Sequence, residues 1–283
     1  MSNTYPHGDF HGRLSPELIR LCSVLRDVRR ALVAFSGGVD SSFLLRYTVD
    51  VLGRDSVLAV TVRTPLLPQG EAEGALELAR SWGVQASSIQ MDPLSEPSVA
   101  RNTPDRCYLC KKLIFTRLSG MAKHKRIPWI LDGTNADDGS GFRPGIKALD
   151  ELGIRSPLRE AGLTKDQIRS ESERLGMPTW DRPSSPCLAT RFPYGNPISL
   201  EAVARVDRGE KYLKSLGFGV VRVRVHGDVA RVEVPADRIG DLVREGIREG
   251  IVAVFKEIGF RYITFDLQGF RSGSMDEVLQ PVD

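Results

Sequence analysis

The sequence predicts an α/β fold, an open, mostly parallel sheet with helices on both faces, joined to a small C-terminal α+β domain. Three observations carry this. Short apolar runs alternate with amphipathic helical segments over the first two thirds of the chain. A glycine-rich turn joins the first apolar run to the helix after it. Beyond a proline-rich stretch, Pro178 to Pro197, the pattern changes to two alternating strands about a tight turn.

Taken in order, Leu18, Leu21, Cys22 and Leu25 form one stripe, so a helix is expected from Pro16 to about Val28. Ala31 to Phe35 reads as the first strand, followed by the loop Ser36-Gly37-Gly38-Val39-Asp40-Ser41-Ser42 and a helix to Gly53. A strand from Ser56 to Val62, a helix from Glu71 to Trp82 closed by Gly83, and a strand from Ser87 to Met91 continue the alternation. A helix is expected from near Pro104, with Thr103 as its cap, towards His124. Trp129 to Leu131 is then a strand ending in Asp132-Gly133-Thr134-Asn135. Thr164 and Gln167 form a capping-box pattern that opens a helix. The domains are expected at residues 1–190 and 191–283. In the second, Leu200 to Leu216 reads as a helix. Val220 to Val225 and Val229 to Val234 read as strands, Asp237 to Ile258 as a helical pair and Tyr262 to Asp266 as a last strand.

The 283 residues are 41% hydrophobic and 27% charged, an ordinary globular balance. The net charge of +3 is spread along the chain and calls for neither a nucleic-acid nor a membrane partner. The polar stretch Met1 to Arg13 lacks the apolar centre of a signal peptide, so a cytoplasmic protein is expected. Four cysteines, Cys22, Cys107, Cys110 and Cys187, are too few for a disulfide scaffold at this size.

The Ser36 loop lies where an open parallel sheet binds ligands, at the carboxyl end of a strand. Gly37 and Gly38 let backbone approach an anion, and the helix that follows offers free amides and its positive end. Ser36, Ser41 and Ser42 add hydroxyls, and Asp40 suits Mg²⁺ held against pyrophosphate oxygens. The loop lacks the lysine of a Walker motif. It suits cleavage between the α and β phosphates of ATP, with pyrophosphate held and AMP transferred. The plain alternative is a turn that merely joins strand to helix.

Cys107 and Cys110 are spaced to share one helix face, and Cys187 lies in a proline-rich loop unsuited to a core cysteine. Three thiolates can hold a [4Fe–4S] cluster with one iron left for an extra sulfide. Half a zinc site and unlinked small side chains remain open, although zinc lacks a clear fourth ligand. Cys22, on an apolar stripe, is read as packing.

The Ser36 loop resembles that of the PP-loop ATP pyrophosphatases, whose fold is adenine nucleotide alpha hydrolase-like. Further segments resemble the LarE family: Asp132 to Asp138, Phe142-Arg143-Pro144-Gly145, Arg155-Ser156-Pro157-Leu158, Glu160 to Lys165, Pro178-Thr179-Trp180-Asp181 and Ser185 to Gly195. The resemblance implies an ATP-dependent sulfur transferase acting on pyridinium-3,5-biscarboxylic acid mononucleotide. ATP would adenylate a carboxylate, sulfur would displace AMP, and two rounds would yield the bis-thiocarboxylate precursor of the nickel-pincer nucleotide of lactate racemase. It extends the ATP site to Gly133 and Arg155. Some family members sacrifice the sulfur of the cysteine matching Cys187; others carry three cysteines and a cluster, and Cys107 with Cys110 puts this chain with the latter. It also implies a homo-oligomer, a hexamer.

On the substrate side, Arg222 and Arg224 share one face of a strand and suit a phosphate or carboxylate. Glu210 and Arg271 match family positions near the substrate. The alternative is a surface hairpin in which Arg222 faces Glu233. Arg191 is read as either a ligand or a brace for the cysteine loop. Two other functions share the loop. A tRNA thiolase with a [4Fe–4S] cluster lacks support from any basic stripe, and an amidating enzyme leaves the cysteines idle.

Overall fold

The computed structural model describes residues 14–139 and 144–277. Met1 to Arg13, and Phe142 and Arg143 of the quoted motif, lie outside the described residues. The chain forms two compact units. One takes in the chain up to Thr64, Gly70–Met91 and Cys107–Ser185; the other takes in Pro65–Gln69, Asp92–Arg106 and the chain from Pro186 onward.

In the first unit α1 (Pro16–Arg26) starts at Ser15, whose Oγ accepts from the Leu18 amide. Then come β1 (Ala31–Ala34), α2 (Val39–Leu52), β2 (Val57–Arg63), α3 (Glu71–Ser81) and β3 (Gln85–Gln90). The short α4 (Pro97–Ala100) belongs to the second unit. α5 (Arg106–His124) and β4 (Trp129–Leu131) follow, then α6 (Pro144–Glu151), α7 (Pro157–Ala161) and α8 (Lys165–Arg174). The reciprocal Thr164–Gln167 box is present at the start of α8. α5 starts at Arg106, two residues later than its prolines suggest, because the Thr103 hydroxyl bonds the nearby Asp105 carboxylate and not a helix amide.

All four strands are parallel in the order β3-β2-β1-β4. Both faces are covered, which explains the continuous apolar runs of β1 and β2. On one face Val33, Val57 and Ala59 pack with Leu21, Phe43, Leu44 and Ile168; on the other Leu32, Leu58 and Val60 pack with Phe115, Leu118 and Leu149. Cys22 is buried in the first of these cores. Winding outward from β1 in both directions creates a switch point between β1 and β4.

In the second unit α9 (Leu200–Ser215) precedes β5 (Arg222–His226) and β6 (Val229–Glu233), an antiparallel hairpin about Gly227-Asp228. The expected helical pair is one short helix, α10 (Ile239–Leu242), and a longer one, α11 (Ile247–Glu257), and β7 (Tyr262–Phe265) pairs parallel with β6. No helix among the described residues is long and apolar enough to cross a membrane.

Candidate active site

In the first unit the Ser36 loop follows β1 directly, and Gly38 is the N-cap of α2. Gly37 takes a left-handed φ of 75°, and an added Cβ there would meet the Ala75 Cβ at 2.9 Å. Both facts require glycine. Ser36 Oγ and Ser41 Oγ lie 3.0 Å apart, and Ser41 Oγ donates to the Gly38 carbonyl at 3.2 Å. The hydroxyls therefore stiffen the loop. Ser42 is fully buried and its Oγ has no hydrogen-bond partner, a polar atom left for a ligand.

Across the switch point Gly133 packs on the first turn of α2. A Cβ there would stand 3.0 Å from the Ser41 amide nitrogen and 3.2 Å from the Ser41 Cα. Main chain of both segments thus meets at the floor of the crevice that an open parallel sheet leaves outside the carboxyl ends of β1 and β4, which suits close approach of a polyphosphate. Asp132 is buried beneath it: its Oδ1 accepts from the Thr134 amide at 3.0 Å and Ser156 Oγ at 2.9 Å, and Lys111 lies 3.6 Å from Oδ2. Gly133→Ala is expected to weaken ATP binding by about tenfold or more, since α2 must yield by a few tenths of an ångström at its anion-binding end. Titration calorimetry with ATP checks this, and unchanged affinity refutes ATP binding at this meeting of main chain.

Asp40 stands in the first turn of α2. Its carboxylate forms an ion pair with Lys165 Nζ and accepts from Asn135 Nδ2 at 3.4 Å. The Lys165 amide donates to Asp137 Oδ2 at 2.7 Å, so the start of α8 is tied to the Asp132–Asp138 segment. Arg182 Nη1 donates to the Gly37 carbonyl at 2.7 Å, while Arg169 of α8 holds the carbonyls of Trp180 and Arg182. Lys165 and Arg182 are partners of the loop that spacing alone does not reveal, because they come from segments more than a hundred residues on. The signals for Lys165 were its place just after the Thr164 cap and at the end of the segment Glu160 to Lys165.

The Arg155 main chain pairs beside Leu131, and its carbonyl accepts from the Asp132 amide at 2.9 Å. Its guanidinium pairs with Glu160 and lies over the Trp129 ring, 5.4 Å from the centroid, at the amino end of β4. Cys107 and Cys110 fall in the first turn of α5 and are half-buried. Their i, i+3 spacing places them on one face of that helix. Among the described residues no three His, Cys, Asp or Glu side chains gather as a metal site.

In the second unit Cys187 heads a 3₁₀ turn, Leu188–Arg191, and is half-buried. Arg191 is 1% exposed and forms a fork with Glu210, 2.8 Å to each oxygen. Its Nη1 also donates to the carbonyls of Pro186, at 2.9 Å, and Cys187, at 3.3 Å. Arg191 is therefore a brace for the cysteine turn. Glu210 accepts from the Val223 amide as well, at 3.0 Å, so its carboxylate faces the interior.

The hairpin register does set Arg222 opposite Glu233. This is no surface pair, however: Arg222 is 7% exposed, Arg224 4% and Glu233 0%. The fork to Glu233 comes from Arg224, at 2.9 and 2.8 Å, and Arg224 Nη1 reaches the Thr190 carbonyl of the cysteine turn at 2.8 Å. Arg222 lies over Phe270, 4.9 Å from the ring centroid. Burial first, and then the nearby Arg191 charge, push its pKa down to about 10, so it stays charged at neutral pH. Buried guanidinium groups outnumber buried carboxylates in this cluster, which favours an anion. Arg271 stands exposed and pairs with Glu277.

A family model described as NAD synthase matches residues 24–120, from α1 through most of α5. The chain is 40% identical over 266 residues to the pyridinium-3,5-bisthiocarboxylic acid mononucleotide synthase of Lactiplantibacillus plantarum, covering 94% of this chain and 96% of that protein. It is 39% identical to an uncharacterized protein of Synechocystis sp., over 94% of this chain and 99% of that one. The NH₃-dependent NAD⁺ synthetase of Methanopyrus kandleri is 31% identical over 166 residues, 52% of this chain and 54% of that enzyme. The family model spans the nucleotide loop, whereas the first two relatives match along nearly their whole length. On that footing the chain belongs to the family of the pyridinium-3,5-bisthiocarboxylic acid mononucleotide synthase, the LarE family of PP-loop proteins.

Proposed function

We propose that this protein is an ATP-dependent sulfur transferase that converts the two carboxylates of pyridinium-3,5-biscarboxylic acid mononucleotide into thiocarboxylates. The observation that carries this is the backbone-to-backbone meeting of Gly133 with the first turn of α2 beside the Ser36–Ser42 loop, at the carboxyl ends of β1 and β4, in a chain related along its length to the Lactiplantibacillus enzyme. Amides at the start of α2 hold the β and γ phosphates, with Ser36, Ser41 and Ser42 beside them. A substrate carboxylate oxygen attacks the α-phosphorus, the P–O bond to pyrophosphate breaks, and an acyl adenylate forms. A sulfur nucleophile then attacks the acyl carbon and AMP leaves.

Asp40 fits a role as the Mg²⁺ ligand, because its carboxylate stands in the first turn of α2 and pairs with a cation, Lys165. Mg²⁺ bound there would neutralise the pyrophosphate leaving group. Arg222 and Arg224 offer charge to the substrate phosphate, and Glu210 acts by holding Arg191 and β5. Cys187 handles the sulfur. In the simplest route its Sγ attacks the acyl carbon, AMP departs and a thioester forms. Loss of the Cys187 Cα proton then breaks Cβ–S, releasing the thiocarboxylate and leaving dehydroalanine. Cys107, Cys110 and Cys187 would be the ligands of a [4Fe–4S] cluster, which would supply an iron-bound sulfide as the nucleophile. A homo-oligomer, hexameric as in the family resemblance, completes the reading.

The decisive measurement is pyrophosphate and AMP release on adding the pyridinium biscarboxylate mononucleotide to protein and MgATP. Protein that binds ATP but never releases pyrophosphate with that compound is not this enzyme. A salt-sensitive gel shift with tRNA would point to a tRNA thiolase in its place.

A further inference from the structure

Asn102, in the second unit between α4 and α5, has a left-handed φ of 57° and is 0% exposed. Asparagine tolerates that conformation, but glycine adopts it with no side chain to bury. The amide must therefore have work of its own. Its Nδ2 donates to the carbonyls of Pro193 at 2.8 Å and Asn196 at 3.0 Å, with Phe192 at 3.4 Å. Its backbone carbonyl accepts from the Gly195 amide at 2.9 Å, and the Ile198 amide reaches Ala100 at 2.8 Å. The stretch leaving the cysteine turn is thus sewn to the stretch that leads into α5.

Arg106 completes the seam. It is 4% exposed, and its Nη1 donates both to Asn102 Oδ1 and to the Ala189 carbonyl, the latter at 3.1 Å. Ala189 is two residues after Cys187, and the residue after Arg106 is Cys107. Its guanidinium also lies 5.5 Å from the Tyr194 ring centroid. The guanidinium is thus fixed in place at 4% exposure, with the Ala189 carbonyl among its partners.

We propose that Asn102 and Arg106 are positioning residues for the sulfur-transfer step: they fasten the Cys187 turn and the chain leaving it to the 100–106 stretch of the same unit. This rests on the reading of those cysteines as the sulfur-handling groups. The pair touches neither the Ser36 loop nor the buried arginine–glutamate forks among the contacts above, so adenylation does not depend on it.

The test uses full-length protein carrying Asn102→Gly, Arg106→Met or Arg106→Lys. Asn102→Gly keeps the left-handed backbone and removes only the amide. Three quantities are read: substrate-dependent pyrophosphate release, thiocarboxylate formed per enzyme, and the rate at which iodoacetamide alkylates Cys187. In Arg106→Met we expect pyrophosphate release to stay within about twofold. Thiocarboxylate should fall by about tenfold to 10²-fold, the scale of a displaced reacting group. Alkylation of the half-buried Cys187 should speed up in parallel, and Arg106→Lys should reverse part of both changes. Thiocarboxylate yield and alkylation at the wild-type level in both Asn102→Gly and Arg106→Met overturn the proposal. So does a loss of pyrophosphate release in proportion to that of thiocarboxylate, which marks a merely structural seam. Alkylation needs no substrate, so it decides the positioning claim even if the protein releases no pyrophosphate, a failure that would count against the enzyme assignment alone.

Discussion

Cys187→Ala is expected to leave substrate-dependent pyrophosphate release running and to abolish thiocarboxylate formation. The two steps use different groups. In the proposed reaction adenylation draws on the amides at the start of α2 and the charge around Asp40, all in the first unit. Sulfur delivery needs the thiol at the head of the 3₁₀ turn in the second. Alanine keeps the turn, since its hydrogen bonds run from Arg191 and Arg224 to main-chain carbonyls and not to the thiol. The acyl adenylate then has only water to react with, so AMP and unchanged substrate accumulate. A single-turnover assay following AMP, pyrophosphate and thiocarboxylate separately tests this; thiocarboxylate from the variant would remove Cys187 from the reaction. Mass spectrometry of wild-type protein after one turnover then identifies the sulfur source. A loss of sulfur at Cys187 marks sacrifice. An intact thiol, with brown anaerobic protein that loses its colour on Cys107→Ala, marks a cluster.

Glu210→Ala is expected to cost about 3–5 kcal/mol of stability in the second unit. It leaves Arg191 charged and 1% exposed with no carboxylate, and it orphans the Val223 amide at the start of the hairpin. For a fold stabilised by about 5–15 kcal/mol, that is a large share. The urea midpoint should drop and the amides of residues 187–192 should lose protection from exchange, because Arg191 also fastens the Pro186 and Cys187 carbonyls. The double variant Arg191→Met/Glu210→Leu removes both charges and fills the space, and should regain much of the stability without regaining sulfur transfer. A Glu210→Ala protein that melts with the wild type would show that the fork contributes nothing.

The sequence by itself determined the nucleotide half of the protein. The alternation of apolar runs and helical stripes marks β1 to β4 and α1, α2, α3 and α8 to within a few residues, since periods of 2 and 3.6 residues are local properties of the chain. The Ser36–Ser42 loop was legible for the same reason, and so was the sharing of one helix face by Cys107 and Cys110. The hairpin register, Arg222 opposite Glu233, also followed from the length of its turn. What tertiary structure alone decided was pairing at long range. Glu233 takes its fork from Arg224 and not from the residue facing it, Glu210 closes on Arg191, and Asp40 meets a lysine 125 residues away. The Arg155 guanidinium lies over Trp129, and Asn102 becomes a hub for chain ninety residues on. Periodicity tells which face a side chain occupies, but the partner it meets there depends on where a distant crossover returns the chain, and in a buried setting that partner fixes the role of the charge.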